Sequence, residues 1–91
     1  NIGDNVLLNV GAIVSHDTTI RNHSFVGPGA VLAGKSSIGE CCMVGVGATV
    51  IDNLSIVDNT VIGGGAVVVN HIIKSGVYTG VPAKELIKNI K

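Results

Sequence analysis

Three histidines, His16, His23 and His71, are the residues best suited to proton chemistry in this chain. His16 is set apart by its company in Asn9-Val10-Gly11-Ala12-Ile13-Val14-Ser15-His16-Asp17. A carboxylate follows it directly, and an amide, Asn9, stands one hexapeptide before Ser15. An imidazole beside a carboxylate suits general-base work, because the carboxylate can fix the tautomer while the other nitrogen takes a proton. Zinc is the rival use of histidine, and it needs several imidazoles converging from one edge. Cys41 and Cys42 are adjacent, form no CxxC pair and cannot easily bridge each other. They read as reduced thiols of a cytoplasmic protein, with Cys42 in the core and no nucleophilic role.

Placing these side chains requires a scaffold, and the chain states it plainly. Every sixth residue from Ile2 to Val68 is aliphatic: Ile2, Leu8, Val14, Ile20, Val26, Leu32, Ile38, Val44, Val50, Ile56, Ile62, Val68. Four positions after each comes a second, mostly small series, including Ala12, Thr18, Ser24, Ala30, Ser36, Cys42 and Ala48. Neither a helix nor an alternating strand has this period, whereas a hexapeptide-repeat parallel β-helix does. The fold class is all-β. Three hexapeptides make a triangular turn, so about four coils are expected, at 2–19, 20–37, 38–55 and 56–73, forming one domain over residues 1–73. Residues 74–91 should be an exit strand followed by a short C-terminal helix over 82–91. Pro82 would lie in its first turn, and Leu86, Ile87 and Ile90 would cover the end of the solenoid.

On this coil length Gly34 stacks over His16 and Asp52 over Gly34, while His23 cannot stack on His16. Within one chain the zinc alternative is therefore disfavoured, and no metal is expected. A bare glycine above His16 lets a backbone N–H approach a reacting carbonyl. Val44-Gly45-Val46-Gly47-Ala48 and Ile62-Gly63-Gly64-Gly65-Ala66 also stack, leaving a smooth edge for an extended ligand; corner glycines chosen for backbone conformation are the plainer reading.

Composition narrows the classes further. The chain has 91 residues, 13 glycines, one Phe, one Tyr and no Trp, and its formal net charge is zero. Aliphatic coils need few aromatics. A neutral chain is not expected to bind nucleic acid, and no run reaches the roughly 18 apolar residues of a membrane span. Lys74, Lys84, Lys88 and Lys91 give residues 74–91 a local positive charge that could face an anion. Leu7, Ile13, Ile51, Val57, Val61, Val67 and Val69 cannot all enter a narrow core, which implies a face buried against other subunits. The opening at Asn1, in mid-repeat, suggests a piece of a longer protein.

The motifs Leu8-Asn9 with Val14-Ser15-His16-Asp17, Val26-Gly27-Pro28-Gly29-Ala30-Val31-Leu32-Ala33-Gly34, Val61-Ile62-Gly63-Gly64-Gly65-Ala66 and Gly80-Val81-Pro82-Ala83-Lys84 resemble one family. It is the left-handed β-helix acyltransferases, and within them the sialic-acid and bacillosamine type of sugar acetyltransferase (NeuD/PglD-like). The resemblance implies a left-handed prism, against the usual crossover rule, and a homotrimer with acetyl-CoA between neighbours. His16 would be the general base, with Asp17 beside it and Asn9 in the same pocket. Gly34 would donate to the thioester carbonyl, Val46 and Gly64 would line the pantetheine arm, and Lys84 would join the coenzyme site. The acetyl group would pass directly to an amine or hydroxyl of a sugar or nucleotide-sugar acceptor. The resemblance also implies a preceding sugar-nucleotide-binding domain. The competing reading is a β-helix module that only trimerises and scaffolds.

Overall fold

An aliphatic residue at every sixth position can point inward every time only if each repeat is a short strand followed by a corner. The computed structural model describes residues 1–86 and is built this way. Three flat faces result. The first carries β1 (Leu7–Leu8), β4 (Phe25–Val26), β7 (Met43–Val44) and β10 (Val61–Ile62). The second carries β2 (Ile13–Val14), β5 (Val31–Leu32), β8 (Thr49–Val50) and β11 (Val67–Val68). The third carries β3 (Thr19–Ile20), β6 (Ser37–Ile38) and β9 (Ser55–Ile56), with Ile2 and Ile72 bridging its two ends. All these pairings are parallel, and Leu8 pairs with Val26 and Ile20 with Ile38, a coil of eighteen residues as the period requires.

Both inward series are buried. From Ile20 onward the aliphatic series is at most 3% exposed through Val68. Ile2 and Leu8, with no coil beneath them, are 49% and 43% exposed. The small series fills the converging walls near the corners, and its polar members stay there because each finds a backbone acceptor. Ser24 Oγ donates to Gly39 O at 2.6 Å, Ser36 Oγ to Ala33 O at 2.8 Å and Thr60 Oγ1 to Val57 O at 2.8 Å.

Each corner from Asp4–Asn5 to Gly64–Gly65 is a two-residue turn whose second residue is left-handed. Asn5, Asp17, His23, Lys35, Cys41, Asn53 and Asn59 have φ between 54° and 64°. The corner between the first and second faces uses glycine on every coil: Gly11, Gly29, Gly47 and Gly65. The left-handed residue donates its N–H to the preceding coil, as Lys35 does to His16 O at 3.0 Å and Gly47 to Pro28 O at 2.9 Å.

The C-terminal end departs from the expected pattern in two ways. Ile56 pairs with Ile72 and Val61 with Val77, so the fourth coil closes in sixteen residues, two short of the expected span to 73. The shortened turn deprives Ser55 N–H of the carbonyl that its counterparts Thr19 and Ser37 use, at 3.0 and 2.8 Å. His71 Nδ1 accepts it instead, at 3.0 Å. The second departure is a correction. No helix starts at Pro82: Gly80 turns the chain at φ +92°, and β13 (Lys84–Glu85) pairs antiparallel with the exit strand β12 (Val77–Thr79). A ten-residue helix is marginal by itself, and strand pairing on an existing sheet edge prevails. Leu86 is 55% exposed rather than packed over the solenoid end, and its N–H donates to Val77 O. The remainder of the expected helix, with Ile87 and Ile90, lies outside the described residues.

Candidate active site

The corner between the second and third faces holds His16 and Asp17 on the first coil, Gly34 and Lys35 on the second, and Asp52 and Asn53 on the third. β2 and β3 fix its two sides. His16 Nδ1 lies 3.4 Å from Asp17 Oδ2, and both side chains are exposed. A proton on Nδ1 shared with this carboxylate leaves Nε2 as the free basic nitrogen. Nε2 faces the neighbouring coil: a Cβ at position 34 would stand 2.9 Å from His16 Cε1 and 2.9 Å from Nε2. Gly34 is not in the left-handed region, so the backbone does not demand glycine there. The imidazole does.

The Gly34 amide has a second property. At the corner between the third and first faces, the equivalent amides of Asp4 and Glu40 donate to side chains one coil up, Asn22 Oδ1 at 2.7 Å and Asp58 Oδ1 at 2.8 Å. At Gly34 the side chain one coil up is Asp52, whose Oδ2 instead accepts from Asn53 Nδ2 at 3.3 Å. Among the described residues the Gly34 N–H meets no acceptor. A free basic nitrogen and a free backbone donor thus share one corner, the pair that acyl transfer uses.

The other expected residues stand elsewhere. Asn9 lies just before the glycine-rich corner, at the far end of the second face from His16, and its Nδ2 donates to Val26 O at 3.4 Å. Val46 and Gly64 are stacked on that same glycine-rich corner, on the third and fourth coils. Lys84 is on β13, beyond the fourth coil. A single chain therefore brings together His16, Asp17 and Gly34 and keeps Asn9, Val46, Gly64 and Lys84 apart from them.

The stacked glycines separate by cause. A Cβ on Gly45 would meet Gly64 N at 2.7 Å, and one on Gly63 would meet Thr79 Cγ2 at 2.9 Å, so coil packing excludes side chains at both. Gly47 and Gly65 are left-handed. Gly64 alone in this group has neither constraint: its Cβ would meet Val46 O at 3.4 Å, an ordinary contact.

The other histidines have structural partners. His23 Nδ1 lies 3.1 Å from Asn5 Nδ2, and His71 completes the β9 edge as described. Burial raises the Cys42 thiol above its ordinary range, opposed in part by backbone hydrogen bonding. One residue that sequence reasoning passed over shares the His16 corner: Lys35, one coil above Asp17. The signal was present in its position three after Leu32, where the corner residue must be left-handed.

The bacterial transferase hexapeptide (six repeats) matches residues 1–34. Among solved structures, the chain is similar to a histidine-to-alanine variant of GDP-perosamine N-acetyl transferase from Caulobacter crescentus, in complex with CoA and GDP-perosamine. The identity is 40% over 96% of this chain and 41% of that one, with a TM-score of 0.93. It is also similar to the acetyltransferase domain of PglB from Neisseria gonorrhoeae in complex with acetyl coenzyme A, at 32% identity over 93% of this chain and 44% of that one, TM-score 0.89. A maltose O-acetyltransferase from Clostridium difficile, 22% identical, shares the fold with a TM-score of 0.88 over 99% of this chain and 59% of that one. No curated protein matches the sequence. The chain spans less than half the length of the GDP-perosamine N-acetyl transferase and of the PglB acetyltransferase domain.

Proposed function

We propose that this chain, a hexapeptide-repeat β-helix of the acyltransferase family, is the acetyl-transfer domain of an enzyme that moves an acetyl group from acetyl-CoA to an amine or hydroxyl of a sugar. The observation that carries this reading is the His16–Gly34 corner, where a basic nitrogen with a carboxylate behind it adjoins an unpartnered backbone N–H. The solved neighbours held CoA with GDP-perosamine, or acetyl coenzyme A, which supports the substrate classes.

His16 Nε2 takes the proton from the acceptor amine or hydroxyl as that atom attacks the thioester carbonyl. Gly34 N–H donates to the oxygen on which negative charge builds. As the carbon–sulfur bond breaks, His16 returns the proton to the departing thiolate. Asp17 holds Nδ1 throughout, keeping Nε2 directed at the acceptor. No acyl-enzyme is needed, and neither cysteine adjoins this corner.

Gly64 fits a coenzyme approach, since nothing inside the fold accounts for its missing side chain. Val46 and Gly64 lie one face away from His16, so the reading requires a second copy to present its glycine-rich corner to the His16 corner of the first. The outward side chains support this. Leu7, Val10, Ile13, Met43 and Val46 are 46–82% exposed around the glycine-rich corner, whereas the third face turns Thr19, Ser37 and Ser55 outward. A trimer, the assembly the resemblance implies, closes such head-to-tail contacts. The discriminating experiment is calorimetry of acetyl-CoA with the chain, paired with an acetyl-transfer assay of the intact protein on amino sugars and their nucleotide derivatives. An absence of coenzyme binding at millimolar concentration would leave the scaffold reading in its place.

A further inference from the structure

The first residue of a corner turn can have its N–H capped by a side chain one coil up, and the residue before it decides whether the cap forms. Asp4 N–H donates to Asn22 Oδ1 at 2.7 Å, and Glu40 N–H to Asp58 Oδ1 at 2.8 Å. Both capped residues follow a glycine, Gly3 and Gly39. A Cβ on Gly3 would collide with the capping Asn22 Oδ1 and stand 2.9 Å from Asn22 N. A Cβ on Gly39 would collide with the capping Asp58 Oδ1 and stand 2.6 Å from Asp58 N. Neither glycine has a positive φ, so a left-handed backbone is not the cause.

Where the preceding residue carries a side chain, the cap is missing. Arg21 precedes Asn22, which lies beneath Glu40. Ile51 precedes Asp52, which lies beneath Asn70. Ala33 precedes Gly34, which lies beneath Asp52. Among the described residues, none of these three N–H groups donates to the polar side chain above it. Gly34 is the telling case, because Asp52 is the same short carboxylate that caps Glu40 from position 58. Asp52 Oδ2 instead accepts from Asn53 Nδ2 at 3.3 Å. The two corners differ in the residue before the amide, Gly39 in one and Ala33 in the other.

We infer that the methyl group of Ala33 keeps Asp52 off the Gly34 N–H and so reserves that donor for the thioester carbonyl; this rests on the acetyltransferase reading above. A carboxylate is a strong acceptor for a backbone N–H. An oxyanion donor already taken by one is lost to the reaction. Ala33 is therefore a positioning residue that acts through Gly34. The adjacent positions have opposite requirements: a methyl at 33 excludes the carboxylate above, and a bare Cα at 34 admits the imidazole below.

The test uses the intact protein with Ala33→Gly, Asp52→Ala and the double variant, read by hydrogen exchange at individual amides and by acetyl-transfer turnover. Glycine already occupies the matching place before Asp4 and Glu40, so the coil accepts it. In wild type the Gly34 amide should be less protected than the capped amides of Asp4 and Glu40. Ala33→Gly should slow Gly34 exchange and lower kcat, each by about ten- to hundredfold, the range of one hydrogen bond to a charged group. In the double variant the carboxylate is gone, so Gly34 exchange should return to the wild-type rate and kcat to that of Asp52→Ala alone. Because the double variant keeps glycine at 33, this recovery excludes misfolding as the cause of the loss. Equal Gly34 exchange in wild type and Ala33→Gly overturns the inference, as does a wild-type Gly34 amide protected as strongly as those of Asp4 and Glu40. A loss of turnover that Asp52→Ala does not recover also overturns it. The acetyltransferase reading fails separately: protection of the Gly34 amide in Ala33→Gly with kcat unchanged supports the exclusion by Ala33 and removes the Gly34 N–H from the reaction.

Discussion

The Nε2 edge of the His16 imidazole lies against the bare Cα of Gly34, so closely that a methyl group there would stand 2.9 Å from both Nε2 and Cε1. The imidazole and the Gly34 N–H are held by adjacent coils of one stack. On the proposed reading the two positions are separable by mutation, because His16 acts as the base and the missing side chain of Gly34 leaves room for its ring.

His16→Ala should lower turnover of the intact protein by roughly 10²–10⁴, with acetyl-CoA affinity little changed. Gly34→Ala keeps the N–H but displaces the ring, and should cost about 10² through misplacement alone. Asp17→Asn should cost less than His16→Ala, since Asp17 orients the imidazole without taking the proton. Steady-state kinetics on all three variants checks the order. His23→Ala, whose ring is tied to Asn5 on another corner, should turn over as wild type does.

Gly64 and Gly45 should respond in opposite ways. Gly64→Val should leave the melting curve almost unchanged and weaken CoA binding, because the fold has room for a side chain there. Gly45→Ala forces a Cβ to within 2.7 Å of Gly64 N and should destabilise the protein by about 1–3 kcal/mol. Urea titration and calorimetry on both variants separate the two causes. Unchanged CoA affinity in Gly64→Val would remove that glycine from the coenzyme groove.

Assembly has its own measurement. Sedimentation equilibrium should give about three times the 9.2 kDa chain mass. Val10 is 82% exposed on the glycine-rich corner, so Val10→Asp should shift the equilibrium toward monomer without unfolding the coil. A folded monomer in the wild type would separate the two corners for good.

Cys42 gives a pH-dependent signature. It is 2% exposed, its Sγ lies 3.2 Å from Val57 O, and burial raises its pKa above the ordinary value. The unfolded chain therefore loses this proton first as pH rises. Its contribution to stability is present below the ordinary thiol range of about 8.5 and is lost progressively above it. Cys42→Ala should flatten that decline relative to wild type in urea titrations between about pH 8 and 10, the range set by the same thiol value. Iodoacetamide should label exposed Cys41 and spare Cys42 until the protein unfolds.

The prism was legible because one physical rule repeats: an aliphatic residue from Ile20 to Val68 enters the core at each sixth position, and a second, mostly small series seals the corners. The stacking of Gly34 on His16 followed from the same arithmetic. The arithmetic failed where the repeat stops being a repeat. Nothing in Val68-Val69-Asn70-His71-Ile72 announces a coil of sixteen residues, because the missing carbonyl is replaced by a side chain, His71, and only coordinates show the substitution. The end at Pro82 misled because Lys84 and Glu85 suit a helix locally while an open sheet edge beside Tyr78 and Thr79 captures them. The division of the stacked glycines by cause was equally hidden, since Gly45 and Gly64 look alike in sequence and differ only in what surrounds the absent Cβ.

The stacking of whole coils has a consequence for how such a chain can change length. A stack of equal coils can grow by duplicating one of them. The two residues missing from the fourth coil are lost at a corner, and beyond it strand still stacks on strand, Val61 against Val77 and Ile62 against Tyr78, so the stack stays open to an added coil. Each coil inserted between His16 and Gly64 would raise one relative to the other by about 4.8 Å. The coil count between those residues thus acts as a ruler, and lengthening this protein by one repeat would change the length of ligand that can reach from one mark to the other.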